Sequence, residues 1–176
     1  FVSEGWCSSK RAGFNNTDKE FFDEVVRAYD AIVGGRRHVS ARRNTTSGRM
    51  LFELDIHNTE RICASPLASQ LGLRAASKRI PETVWRGAMG LKRAFLMALF
   101  EGDGDLILDK RSSLRLDYST DSLGLAEDVQ QLLLEFGVVG HVCTDRTRNC
   151  HKVLVTNKRN VRAFADRVGF LGTKQA

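Results

Sequence analysis

The sequence predicts an α+β fold built twice from one αββαββα unit. Three observations carry this. The second half reads in order as helix, hairpin, helix, hairpin, helix. The first half repeats that order if its opening helix is mostly missing. Each copy opens on a segment that ends acid–glycine: "FVSEG" at 1–5 and "LMALFEGDG" at 96–104. An internal duplication of this kind implies two similar lobes about a pseudo-twofold axis, here 1–88 and 89–176.

The elements follow from local patterns. "TDKE" at 17–20 reads as a capping box, with Thr17 as the cap and Glu20 reaching back. Phe21, Val25, Val26, Tyr29 and Ile32 then recur at helical spacing, and Gly34–Gly35 stop the helix. Residues 36–44 and 49–57 read as strands around the turn "TTSG" at 45–48. Ser65 with Pro66 opens a short helix that closes near Gly72. A helix from about Leu91 runs into the 96–104 segment. Leu106 and Leu108, then Leu114, Leu116 and Tyr118, alternate as strand residues do. Ser122 caps a helix that reaches Gly137, a second hairpin covers about 139–156, and Asn157 caps a last helix to about Val168.

Composition bounds the function. With 42% hydrophobic residues the chain can bury a core. Its net charge of +6 raises the prospect of a polyanion partner without fixing it. The apolar runs are far shorter than a membrane span, and no leader peptide is expected. Cys7, Cys63, Cys143 and Cys150 form no CxxC and read as reduced thiols, as in an intracellular, cytoplasmic protein. Zinc at the 141–151 hairpin is disfavoured, because adjacent Cys150 and His151 point to opposite faces of a strand.

The acid–glycine endings carry the chemistry. Small residues such as Ala98 and Gly102 permit close helix approach, and Gly104 suits a left-handed helix cap. Glu4 and Asp103 then project from two helix ends. A carboxylate at a helix C-terminus is electrostatically unfavourable, and a pair is worse unless a cation lies between them. Mg²⁺ takes oxygen ligands and keeps several waters, so Glu4 and Asp103 form a plausible metal pair.

"LMALFEGDG" resembles the LAGLIDADG motif of homing endonucleases, with Asp103 at its final acid. "FVSEG" resembles the tail of the first copy, with Glu4 at that acid. "SKRIP" at 77–81 is similar to the Lys-x-Ile-Pro block before the second motif of intein endonucleases, and "LLLEFGVV" at 132–139 to a further block. The resemblance covers the whole chain. It implies a saddle of two antiparallel sheets on double-stranded DNA, as a monomer of two pseudo-symmetric lobes. It also implies Mg²⁺ or Mn²⁺ as cofactor, with a host protein and a splicing domain in a longer precursor. By block position it makes Lys78 and Lys152 the supporting lysines of the two lobes, beside the acids Glu4 and Asp103. Two departures stand out: the chain starts inside the first motif, and that motif ends in Glu rather than Asp. There is also no N-terminal Cys or Ser and no terminal His–Asn, so this chain is not expected to splice.

A two-stranded ribbon fits the major groove, so DNA contacts are expected on the hairpins. "RRHVSARRNTTSGR" supplies Arg36, Arg37, Arg42, Arg43 and Arg49 with no acid among them. "KRSSLR" supplies Lys110, Arg111 and Arg115, and "RTR" supplies Arg146 and Arg148. The expected activity is metal-dependent hydrolysis of both DNA strands; the alternative is a degenerate, non-cleaving nucleic-acid-binding domain.

Overall fold

The computed structural model describes residues 2, 5–8, 10–57, 59–65, 68–69, 74–108 and 114–171. Packing divides the chain into two compact units, Phe1–Arg74 and Ala75–Ala176. The stretch 75–88, which the repeat counts with the first half, packs with the second.

The first unit holds β1 (Gly5–Cys7), β2 (Ala12–Asn16), α1 (Lys19–Ile32), β3 (Arg37–Arg43), β4 (Met50–Ile56) and α2 (Glu60–Cys63). The strands form one antiparallel sheet in the order β1-β2-β4-β3. Alternation gives it one apolar face: Cys7, Ala12, Phe14, Leu54 and Ile56 pack against Phe21, Phe22 and Tyr29 of α1. Phe14 meets Phe21 edge-on and Phe22 nearly stacked, at centroid distances of 5.9 and 6.1 Å.

The cap of α1 differs from expectation. Asp18, not Thr17, accepts from the amides of Glu20 and Phe21. The helix therefore begins one residue later than the capping box suggests, and it places a carboxylate at the positive end of the helix. Its other end is as expected. The amides of Val33 and Gly34 both reach the Tyr29 carbonyl, and Gly34 and Gly35 take positive φ. The short helix α2 precedes the expected one at Ser65, most of which lies outside the described residues.

The second unit begins with a single 3-10 turn at Ala75–Ser77 and α3 (Glu82–Trp85). Then come α4 (Met89–Asp103), β5 (Gly104–Leu108), β6 (Leu114–Thr120), α5 (Leu123–Glu135), β7 (His141–Asp145), β8 (Cys150–Val155) and α6 (Lys158–Arg167). Its sheet order is β5-β6-β8-β7, the order of the first unit. Leu116, Tyr118, Val153 and Val155 form the buried face. Phe100 of α4 packs on Tyr118 and on Phe164 of α6, with centroids 5.4 and 4.7 Å apart. Ser122 and Asn157 cap α5 and α6 as expected.

Gly104 does not form the left-handed cap. Its φ of −92° and ψ of 145° are extended, and it is already the first residue of β5. A Cβ there would lie 2.4 Å from the Phe100 carbonyl oxygen. Glycine is required for close approach, since α4 turns into a strand with no intervening loop.

Candidate functional site

Strand alternation assigns the basic residues of the first unit to different faces. Arg42 lies on the face away from the core, where its Nε and Nη2 donate to Glu53 across the hairpin at 2.9 and 3.3 Å. Arg11 pairs with Asp55 on the same face. Arg37 has the opposite parity and turns to α1, donating to both Asp30 oxygens at 2.7 and 2.6 Å. That hydrogen-bonded guanidinium holds the Asp30 carboxyl below its ordinary value, and the carboxylate raises Arg37 in turn. Arg43 reaches across the turn towards the Gly48 carbonyl at 3.4 Å. Arg36 and Arg49 are exposed at the ends of the hairpin strands. Nearly all of β3 is exposed, and it is an edge strand. Basic side chains on an edge can serve only to block strand addition. They equally suit phosphate contacts.

In the second unit, the face away from the core carries Arg115, Asp117 and Ser119 from β6 and Lys152 from β8. Arg115 Nε lies 2.7 Å from Asp117 Oδ1, and Asp117 is buried. Lys152 sits opposite Ser119 on one side and Cys143 on the other, half-buried. Arg146 and Arg148 are exposed in the β7–β8 turn. That turn is set by the Asp145 side chain, which accepts from the Thr147 and Arg148 amides at 3.0 and 3.2 Å. Lys110 and Arg111 lie outside the described residues.

The two acids of "FEGDG" have separate surroundings. Glu101 is buried, and its Oε2 accepts from the Leu171 amide at 3.1 Å, tying α4 to the segment after α6. Asp103 is the last residue of α4 and half-buried. Its carboxylate bears on Tyr118: burial first, then the Asp103 charge, push the phenol above its ordinary value, while the Thr120 hydroxyl opposes them. The register sets Gly104, Tyr118 and Val153 in one row across β5, β6 and β8. Asp103 and Lys152 each precede a member of that row in sequence, with the Lys152 side chain on the face away from the core. Glu4 lies outside the described residues.

Lys78 is half-buried, with its carbonyl accepting from the Ser122 hydroxyl at 2.7 Å. Among the described residues no three His, Cys, Asp or Glu side chains are grouped to hold a metal, and no helix is long and apolar enough to cross a membrane. Sequence reasoning missed Glu53 and Asp30 as partners of the arginines. Glu53 had a signal, because a hairpin centred on 45–48 places it near Arg42.

Residues 90–169 match the model of the LAGLIDADG-like domain. The fold of the chain is that of solved LAGLIDADG structures. It matches the homing endonuclease I-WcaI bound to its DNA recognition sequence with a TM-score of 0.66 at 13% identity, covering 97% of this chain and 78% of that one. It matches I-DmoI in complex with DNA and Mn with a TM-score of 0.63 at 12% identity, covering 92% and 82%. The N-terminal LAGLIDADG domain of WhiA matches with a TM-score of 0.62 at 11% identity, covering 94% and 73%.

Among sequence relatives, the DNA gyrase A protein of Mycobacterium malmoense is 49% identical over 99% of this chain. The gyrase A protein of Mycolicibacterium flavescens is 47% identical over all of it. The chain spans about a third of their length, 37% and 31%.

Proposed function

We propose that this chain is the homing endonuclease part of an intein carried by the DNA gyrase A protein, and that it hydrolyses both DNA strands at a specific site. The observation that carries this reading is Asp103. It ends α4 and passes without a loop into a sheet strand, on a unit whose β7–β8 turn presents Arg146 and Arg148. Blocks such as "RAGFNNTD" and "RVGFLGTKQ" support the host assignment by their resemblance to gyrase inteins.

The donor chemistry fits a hard divalent cation. Asp103 offers a carboxylate in a half-buried position at the end of α4. Mg²⁺ and Mn²⁺ suit oxygen donors, and Mg²⁺ keeps several waters, so few protein ligands suffice. Asp103, with Glu4 in the first motif, would hold the ion. When bound, the ion supplies an acidified water and offsets charge on the attacked phosphate. Lys78 and Lys152 present ammonium groups towards the phosphate as negative charge develops on it. The arginines of the hairpins supply affinity through phosphates and discrimination through guanine edges.

The test is direct. The full-length protein is incubated with the host gene lacking the intein, with Mg²⁺ and with EDTA. A double-strand break at one site, abolished by EDTA, is the expected result. Tight specific binding with no break under either condition would refute the nuclease reading.

A further inference from the structure

The segment before α3 is held in an unusual way. Residues 78–81 have no regular secondary structure, yet three successive residues are tied to α5. The Ser122 hydroxyl donates to the Lys78 carbonyl at 2.7 Å and accepts from the Leu125 amide at 3.1 Å. Asp128 accepts from Arg79 Nε at 2.7 Å, from Arg79 Nη2 at 2.6 Å and from the Ile80 amide at 3.0 Å. Ile80 is itself buried. The Arg79 side chain lies across the first turn of α5, where a Cβ on Gly124 would be 2.7 Å from Arg79 Cδ.

This arrangement is costly for stability alone. Asp128 is only 5% exposed, and a buried carboxylate needs full hydrogen bonding to offset its desolvation. An apolar residue on that face of α5 would serve packing as well or better. The arginine needs no such partner, because its side chain is 61% exposed. What the bonds add is a fixed location for a short segment, and the residue at its head is Lys78.

We propose that Asp128 and Ser122 are positioning residues that fix the backbone of Lys78, so that α5 of the second unit sets the point from which the Lys78 ammonium acts. This rests on the role given to Lys78 above. The reaction tolerates little displacement of a charged group near the phosphate, since misplacement by about 1 Å can cost roughly a hundredfold in rate. Releasing Asp128 leaves the ammonium present but loosely placed, so the loss should fall on the cleavage step and spare DNA binding.

The experiment is a double-mutant cycle in the full-length protein, read as single-turnover cleavage at saturating protein with binding measured alongside. Lys78→Met should slow cleavage strongly. Asp128→Asn should slow it roughly tenfold or more while leaving Kd within about twofold. The double variant should cleave no slower than Lys78→Met alone, because the positioning residue has nothing left to position. Arg79→Ala removes two of the three bonds to Asp128 from an exposed side chain, so it gives the same reading if Asp128→Asn does not fold. In it, the Ile80 amide should exchange faster with deuterium. A double variant slower by the full product of the single losses, or Asp128→Asn and Arg79→Ala cleaving at the wild-type rate, would overturn the positioning role. Lys78→Met cleaving at the wild-type rate would instead remove the role of Lys78 itself.

Discussion

Arg42→Ala is the sharpest probe of how the first unit meets DNA. Arg42 lies on the sheet face away from the core, at the far end of an exposed edge strand. Its guanidinium is held by Glu53, but the pair is exposed on the arginine side, with 62% of that side chain accessible. Such pairs contribute about 1 kcal/mol at most, so phosphate competes readily for the arginine. One phosphate contact contributes a slope of about −0.9 in log K against log salt. Over a fourfold rise in salt, from about 50 to 200 mM, one contact therefore accounts for roughly 3.5-fold in affinity. Arg42→Ala should weaken binding at low salt and reduce the slope by about 0.9, which narrows the gap from wild type as salt rises. Glu53→Gln should act the other way, since it frees the guanidinium and removes a carboxylate that repels phosphate. Arg37→Ala should leave the slope unchanged, because Arg37 turns to α1 and is engaged by both Asp30 oxygens. The measurement is fluorescence anisotropy with labelled duplex across a salt series. An unchanged slope for Arg42→Ala, or a change of equal size for Arg37→Ala, would refute the assignment of faces.

Three further outcomes test the structure. Asp18→Ala should cost about 1 kcal/mol of stability in urea unfolding, with Thr17→Ala nearly neutral, because Asp18 carries the cap bonds. Gly104→Ala should destabilise by about 1–3 kcal/mol or more, since its Cβ would meet backbone of α4 rather than a flexible side chain. Tyr118 has a folded-state pKa above its unfolded value, so its neutral form favours the native state. That contribution is complete below about pH 10 and falls as pH rises past it, towards the folded pKa. Tyr118→Phe should therefore lose less stability than wild type between neutral and strongly alkaline pH, as followed by thermal melts.

Much of the architecture is legible in the sequence because it is locally encoded. Gly34–Gly35, Ser122 and Asn157 mark helix ends through their own backbone needs, and strand alternation in 104–120 and 139–156 fixes which residues face the core. Thr17 reads as a cap in place of Asp18 because Thr and Asp are both good caps, and the box pattern alone does not choose between adjacent residues. Gly104 suggests a left-handed cap because it follows a helix, while the real constraint is contact with Phe100. The acid of the motif, Asp103, is visible as a motif residue, but the different use of Glu101 depends on Leu171, 70 positions away. The same holds for Arg79 and Asp128, which are 49 positions apart and carry no shared local pattern. Pairings between elements distant in sequence decide which charges are available, and spacing does not encode them.

The central claim is that Asp103 serves chemistry rather than binding. Asp103→Asn preserves size and the end of α4 while removing a charge and weakening a metal ligand. The measurement is the rate of nicking and double-strand cleavage of the host gene site in Mg²⁺ by the full-length variant, with Kd for the same DNA. The expected result is a loss of roughly a thousandfold or more in cleavage with affinity retained, or increased without metal as one repulsive carboxylate is gone. A variant that cleaves at a rate similar to the wild type would contradict the claim.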